Sequence, residues 1–176
     1  MRSPVLSLSL AAMLALAGCS TMKVQSEFAD DVSFAGLTTF AWVSPDDSAV
    51  SESRISPRAR NRIVAAVERE LEAKGYRPAS AGTPDFLIGY YAASRYDVEV
   101  TQVYDYWRYG GGYNVYQDTR ELRRGVLMLG VVDPARKEVV WRGWASDVVN
   151  DPEPAKVDAK IDEAVNKILA DFPPKG

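Results

Sequence analysis

The sequence predicts an α+β fold, an antiparallel sheet of about five to six strands with two helices packed on one face. Between two helical segments lie several apolar or alternating stretches, and some are separated by short turn sequences as in hairpins. Each helical segment has one apolar stripe and is polar elsewhere, so each needs one apolar surface to cover it. Residues 19–176, which remain if the first eighteen are removed as a signal peptide, are a usual length for one domain with a single core.

The strands are predicted from alternation and from β-branched or aromatic content. The segments are 24–28, 38–43, 85–91, 98–104, 125–132 and 139–145. Residues 133–137, Asp-Pro-Ala-Arg-Lys, are typical of a turn, so the last two strands form a hairpin. Hairpins pair their strands antiparallel, which is why an antiparallel sheet is expected.

Two helices are predicted, one before and one after most of the strands. The first begins with Ser56 as N-cap and Pro57 at the first helical position, and Gly75 caps its end. The second covers about residues 155–170 and has the cleanest helical stripe. The residues expected in the core are Ile63, Val67, Leu71, Ile161, Val165 and Ile168. Charged residues off the first stripe are expected to face solvent.

The first residues have the outline of a signal peptide: Arg2, then an apolar run from Val5 to Ala17. This run is shorter than the about 20 apolar residues that a membrane-spanning helix needs. Its end, Leu-Ala-Gly-Cys at residues 16–19, resembles the lipobox of bacterial lipoproteins, in which the cysteine receives a diacylglycerol. We therefore expect a signal peptide over residues 1–18, a lipidated tether over 19–23 and a single α+β periplasmic domain over 24–172.

Cys19 is the only cysteine of the chain, so it cannot form an intramolecular disulfide. One acyl chain binds a membrane only marginally, and the lipobox resemblance implies more than one, which gives stable anchoring. The residue after the cysteine is Ser20. By analogy with lipoprotein sorting, an aspartate there would favour the inner membrane. We therefore expect attachment to the periplasmic side of the outer membrane.

Four segments in order behind the lipobox resemble a bacterial lipoprotein family, that of domain of unknown function 4136. They are Phe40–Trp42, Leu71–Tyr76, Pro84–Tyr90 and Val140–Ala145. The resemblance covers essentially the whole mature chain. It implies a periplasmic α+β domain and brings no established catalytic residues.

The composition excludes several chemistries. The chain has no histidine, which rules out Ser-His-Asp and Cys-His triads and zinc sites built from His and Cys. With 24 acidic and 21 basic residues and no basic patch, nucleic acid is not an expected partner. Residues 110–112 are three glycines without the lysine or spacing of a phosphate loop. No cofactor, metal or enzymatic activity is expected.

The predicted binding surface combines an aromatic loop and one strand. The aromatics that crowd around the three glycines are Tyr104, Tyr106, Trp107, Tyr109, Tyr113 and Tyr116. Such side chains suit recognition of a protein, a glycan or the inner leaflet, and they could equally fold back over the sheet. Arg142 and Trp144 lie on the strand face opposite Trp141, where they could form a cation–π pair, grip a ligand or be merely structural.

Three functions follow as alternatives. The first is an envelope interaction lipoprotein that binds a protein or cell-wall partner, and the second is a lipid- or glycan-binding module with a pocket under the aromatic loop. The third is a carboxylate-based hydrolase, with Asp85, Glu99 and Asp133 as nominal acids, although Asp133 also suits a turn.

The segment Gly125 to Val132 is apolar at successive positions, so it offers apolar side chains to both faces of the sheet. Large exposed apolar patches usually mark interaction sites. The second face therefore needs a cover, either the loop of residues 104–116 or another molecule.

Overall fold

The computed structural model describes residues 22–43, 55–105, 114–150 and 153–174, with the backbone alone for 95–105 and 114–121. Within these ranges, six strands and two helices follow one another along the chain. They are β1 Lys23–Phe28, β2 Thr39–Trp42, α1 Pro57–Ala73, β3 Arg77–Pro78, β4 Phe86–Asp105, β5 Asn114–Asp133, β6 Glu138–Val148 and α2 Pro154–Ala170. The predicted α+β class, with two helices on one face of a sheet, is confirmed.

The strands form one sheet in the order β1-β6-β5-β4-β2-β3. The β1–β6, β6–β5 and β5–β4 pairs are antiparallel, as predicted, whereas β2 is parallel to both β3 and β4. The sheet is therefore mixed. The reason is the helix between β2 and β3, because a helical crossover returns the chain to a neighbouring strand in the same direction.

The two central strands are much longer than the sequence predicts. The segments 85–91 and 98–104, predicted as separate strands, are parts of the single strand β4. Residues 125–132 are only the last part of β5. Antiparallel pairing of β4 and β5 continues without interruption from Leu87↔Val132 to Asp105↔Asn114. A long two-stranded ribbon therefore extends beyond the Arg95↔Arg124 pair, where the pairing of β5 with β6 ends.

Helix α1 begins and ends where the sequence predicts. The Ser56 side chain accepts a hydrogen bond from the Ala59 N–H at 3.2 Å, and Pro57 occupies the first turn. Lys74 is the C-cap, and Gly75 follows with φ of +94°, the left-handed conformation that favours glycine.

Ion pairs join α1 to α2 along their length. Arg58 pairs with Asp158 at 2.6 Å, Arg62 pairs with Asp162 one turn further, and Asn166 donates to Glu70. Successive partners advance in the same direction on both helices, so the helices are parallel. The charged face of α1, expected to be solvated, is therefore partly engaged by α2.

The core lies between the helices and one face of the sheet. Of the six predicted core residues, five are buried, and Ile161 is partly buried against the cluster. The fully buried strand residues beneath the helices include Phe40, Phe86, Ile88, Leu129, Val131 and Trp141.

Aromatic rings fill the end of the core near the C-terminus of α2. Phe172 lies 5.1 Å from Trp141 and 5.6 Å from both Tyr76 and Phe86, measured between ring centroids. Burial raises the pKa of the Tyr76 hydroxyl. Trp141 faces the helices, as predicted from its strand position.

Gly143 packs against this aromatic end. A Cβ at Gly143 would lie 2.7 Å from both Ile168 and the Trp141 ring, whereas one at Gly130 would meet only Val139 at 3.9 Å. We expect Gly143→Ala to lower the free energy of unfolding by about 1–3 kcal/mol through overpacking. Gly130→Ala is the matched control, and it should be neutral or stabilise by about 0.4–1 kcal/mol. Urea unfolding measures both, and equal midpoints would show that the Trp141 ring yields without cost.

Candidate functional site

The face of the sheet opposite the helices, here called the open face, carries a mostly apolar row of side chains. In register across the strands, Gln25 lies opposite Trp144, Trp144 opposite Met128, and Met128 opposite Tyr91. Directly opposed side chains lie on the same face and contact one another. Tyr91 is 42% exposed, and Met128 and Trp144 are half-buried. Gln25, Trp144, Met128 and Tyr91 form the open-face row.

A second apolar strip runs beside the row. Leu87 pairs with Val132, and Val132 pairs with Val139, which is 48% exposed. Both described helices pack on the other face, so none of them covers these side chains. The prediction that β5 presents apolar residues to both faces therefore agrees with the structure.

Arg142 lies on the open face next to Trp144, as predicted, and its Nε donates to the Glu27 carboxylate at 3.0 Å. Arg142 on β6 and Glu27 on β1 are directly opposed. Both are well exposed, so solvent screens this pair and its contribution to stability is small. The guanidinium therefore borders the apolar row while partnered by a carboxylate, in place of the cation–π pair considered from the sequence.

The predicted aromatic loop is shorter than expected. Tyr104 lies in β4 opposite Val115, and Tyr116 lies in β5 opposite Val103, so both belong to the ribbon. Tyr106, Trp107, Tyr109 and Tyr113 lie outside the described residues, as do Cys19 and the lipobox. Pairing of β4 with β5 leaves only residues 106–113 between the strands.

The carboxylates considered for hydrolysis have structural partners. Asp85 Oδ2 accepts four hydrogen bonds, from the backbone N–H and the hydroxyl of both Thr38 and Thr39, at 2.8 to 3.0 Å. Asp133 Oδ1 accepts from the N–H groups of Ala135 and Arg136, which is the turn role suggested by the sequence. The side chain of Glu99 lies outside the described residues.

A feature that the sequence did not indicate lies on the helix side of the sheet. A cavity of about 420 Å³ opens between the N-terminal halves of the two parallel helices and strands β4, β5 and β6. Small side chains line it on every side, namely Ala59, Ala92, Gly125, Ala145 and Ala164. Ile63, Leu127, Val157 and Ile161 complete its apolar wall. We call this space the helix–sheet cavity.

The rim of the helix–sheet cavity is charged. Lys160 donates to the carboxylate of Asp147 and, at 2.6 Å, to the Val148 carbonyl. The guanidinium of Arg123 donates to Ser94 Oγ at 2.9 and 3.1 Å. Arg58 and its partner Asp158 also line the opening. The rim therefore carries three cations and two carboxylates.

Two further properties concern the described residues alone. No group of three or more acidic or cysteine side chains among them is placed to hold a metal ion. Neither described helix has the length and apolar character that crossing a bilayer requires.

The family resemblance seen in the sequence is confirmed by comparison. A family model described as Domain of unknown function (DUF4136) matches residues 24–174. The chain belongs to this family. Sequence comparison of this DUF4136 chain with curated proteins gives no match.

The DUF4136 chain is similar to a PDZ domain protein from Parabacteroides distasonis, with a TM-score of 0.56 and 18% identity. The alignment covers 88% of this chain and 37% of that chain, so this chain spans well under half of that protein. Two dodecamer structures of PelC from Paraburkholderia phytofirmans align over 85% and 88% of this chain and 95% and 99% of theirs. Their TM-scores are 0.47 and 0.49, at 13% identity. The first likeness shows the fold alone, and the PelC likeness supports no argument.

The hydrogen bonds from Thr38 and Thr39 lower the pKa of Asp85 from 3.8 to about 2. A lowered folded-state pKa stabilises the fold above the unfolded pKa, and this stabilisation is lost as the pH falls from 3.8 through about 2. We therefore expect Asp85→Asn to destabilise the protein at neutral pH and to differ less from wild type near pH 2.

Urea unfolding across this pH range measures the effect, with Asp30→Asn as control because Asp30 is an exposed carboxylate that follows β1, at the opposite edge of the sheet. A deficit of Asp85→Asn that stays constant down to the lowest pH would contradict the assignment.

Proposed function

We propose that this protein is an outer-membrane lipoprotein, anchored through Cys19, whose periplasmic domain binds an envelope protein or the cell wall through the open face. The observation that carries the proposal is the open-face row, because Tyr91 and Trp144 present aromatic surface on a side without a described helix. Tyrosine, tryptophan, methionine and arginine are the residues enriched at protein interfaces. The proposal assigns no catalytic role and no cofactor to the domain.

The anchor accounts for the sequence that precedes the domain. The lipobox ends at Cys19, and β1 begins at Lys23, so a short segment joins the anchor to the sheet. Such a tether keeps the domain close to the bilayer. A partner in the envelope is then reached without diffusion through the periplasm, which raises its effective concentration at the open face.

A charged pair borders the open-face row and makes that edge of the surface polar. Glu27 and Arg142 form an exposed pair beside an apolar strip, the arrangement of a polar rim around an apolar centre. A protein surface or a cell-wall strand with both apolar and hydrogen-bonding groups fits this surface better than a bare hydrocarbon does. A second candidate function, lipid binding, is favoured by the separate helix–sheet cavity.

We expect Cys19→Ser to abolish membrane attachment, because Cys19 has the only thiol of the chain to which a diacylglycerol could be attached. Fractionation of cells that express the full precursor measures attachment. The control is Ser20→Thr, which keeps the cysteine and a small polar residue after it. A Cys19→Ser protein that is processed normally and still pellets with outer membranes would disprove lipid anchoring.

The open face is tested by a photo-reactive amino acid at Tyr91 in intact cells. We expect a defined crosslinked product. Its yield should fall at least about tenfold when Trp144 and Met128 are both changed to Glu, since buried anchor residues carry most of the binding energy of an interface. The control is Ala73→Glu, which adds a glutamate at an exposed position on α1.

Circular dichroism and a thermal melt establish that both variants remain folded. An unchanged product in the folded double variant would overturn the open-face proposal without affecting the anchor. The Cys19→Ser fractionation tests the lipid anchor, and the crosslinking experiment tests the open face. The two results are therefore independent.

A further inference from the structure

The helix–sheet cavity has a clear origin in the packing. At one end of the core, the rings of Trp141, Phe86 and Phe172 fill the space between the helices and the sheet. At the other end, the same layers meet through alanines and a glycine. A pair of layers spaced for aromatic rings is not filled by methyl groups, so a volume of about 420 Å³ remains.

The volume and the lining match a small-molecule site. Such sites are mostly apolar and occupy roughly 300–1,000 Å³, with a few polar groups that fix the ligand's orientation. Cavities with an apolar lining take up apolar ligands. The inner wall of this cavity offers alkyl groups, with the hydroxyls of Ser56, Ser94 and Ser146 among its lining residues. An alkyl wall suits a hydrocarbon and lacks the partners that the many hydroxyls of a glycan need.

One cation of the rim, Arg123, favours an anionic group there. The Arg123 guanidinium donates to a neutral acceptor, the Ser94 hydroxyl, so its positive charge can attract a carboxylate. Its guanidinium can hold a carboxylate with two parallel hydrogen bonds. The other two cations of the rim each have a carboxylate partner already.

The N-terminal ends of the two helices add positive electrostatic potential at the rim. Ser56 and Pro154, at the N-termini of α1 and α2, both line the opening, because the helices are parallel. The N-terminus of a helix carries a partial positive charge that favours an anion. The positive rim and the apolar interior therefore call for an amphiphile with one hydrocarbon chain.

We propose that the helix–sheet cavity binds a long-chain fatty acid, with the hydrocarbon chain between the helices and β5 and the carboxylate on Arg123. This site lies on the opposite face of the sheet from the open-face row and does not depend on the proposed partner there. It also does not depend on lipidation of Cys19.

The test uses the mature chain, residues 19–176, with Cys19→Ser, since the buried core residues among the described ranges all lie between Phe40 and Phe172. The probe is cis-parinaric acid, whose fluorescence rises in an apolar site, and palmitic acid is the competitor. We expect saturable binding of the probe and its displacement by palmitic acid. Methyl palmitate, which lacks the charge, should compete about tenfold less well, the value of one charge-assisted hydrogen bond.

Two kinds of variant locate the site. Ala145→Leu and Ala92→Leu each place a larger side chain in the cavity and should abolish binding. Arg123→Gln should lower the affinity for palmitic acid about tenfold and leave the affinity for methyl palmitate unchanged. Arg77→Gln removes an equivalent exposed charge on β3, away from the cavity, and should change neither. If a leucine variant fails to fold, the comparison of the two ligands on Arg123→Gln still decides the proposal.

Absence of saturable probe binding by the mature chain would overturn the proposal, as would full binding by both folded leucine variants. So would equal competition by palmitic acid and its ester. A third arm uses the lipidated protein in phosphatidylcholine vesicles, because Met22 lines the cavity and Cys19 is close before it. Equal binding supports the proposal of an exchangeable fatty acid, whereas binding by the Cys19→Ser chain alone would overturn it, because the protein's own acyl chain would then fill the cavity.

Discussion

The fold depends on the rings that surround Phe172. This residue follows α2 directly and contacts Trp141 on the sheet, Tyr76 after α1 and Phe34 in the segment between β1 and β2. Burial of one Phe side chain contributes about 1.5–3 kcal/mol. The contacts of Phe172 therefore fasten the C-terminal end of α2 to three parts of the chain that are distant in sequence. Gly143 is part of the same constraint, because any larger residue would displace Trp141 or Ile168.

The ring cluster also determines what happens at the opposite end of the helices. The ion pairs between α1 and α2 keep the helices parallel, but exposed pairs contribute only about 0–1 kcal/mol each and do not draw the layers together. The sheet beneath the helix N-termini presents Ala92, Gly125 and Ala145. With the spacing fixed by large rings and the remaining contacts made by small residues, the helix–sheet cavity is a direct result of where large and small side chains occur.

Much of the fold could be predicted because it rests on local signals. The N-cap Ser56, the glycine after α1 and the apolar stripes act within a turn or two of the chain, and each lies where the sequence indicates. The parallel pairing of β2 with β4 could not be predicted, since it joins residues separated by a whole helix. The continuity of β4 was missed because residues 92–97 lack a clean alternation, although antiparallel backbone pairing holds them in the ribbon.

The candidate sites also contain parts that local sequence signals predict and parts that depend on long-range contacts. Arg142 and Trp144 were placed on the open face correctly because strand alternation is a local rule. Their union with Tyr91 and Met128 depends on the register of three strands, which no single segment encodes. The helix–sheet cavity depends on side chains from five elements, and alanine and glycine give no signal of emptiness in a sequence, because they are equally common in close-packed helices.

Strand β5 explains why an apolar run need not mean burial on both faces. Leu127 and Leu129 of this strand face the core, whereas Met128 between them faces the open side. An antiparallel sheet with one wet face would alternate apolar with polar residues here. The energetic cost of leaving Met128 and its neighbours in water is removed only when another surface covers them. The run of residues 125–132 is therefore better understood as two apolar surfaces back to back, one that packs under the helices and one on the face where no described helix lies.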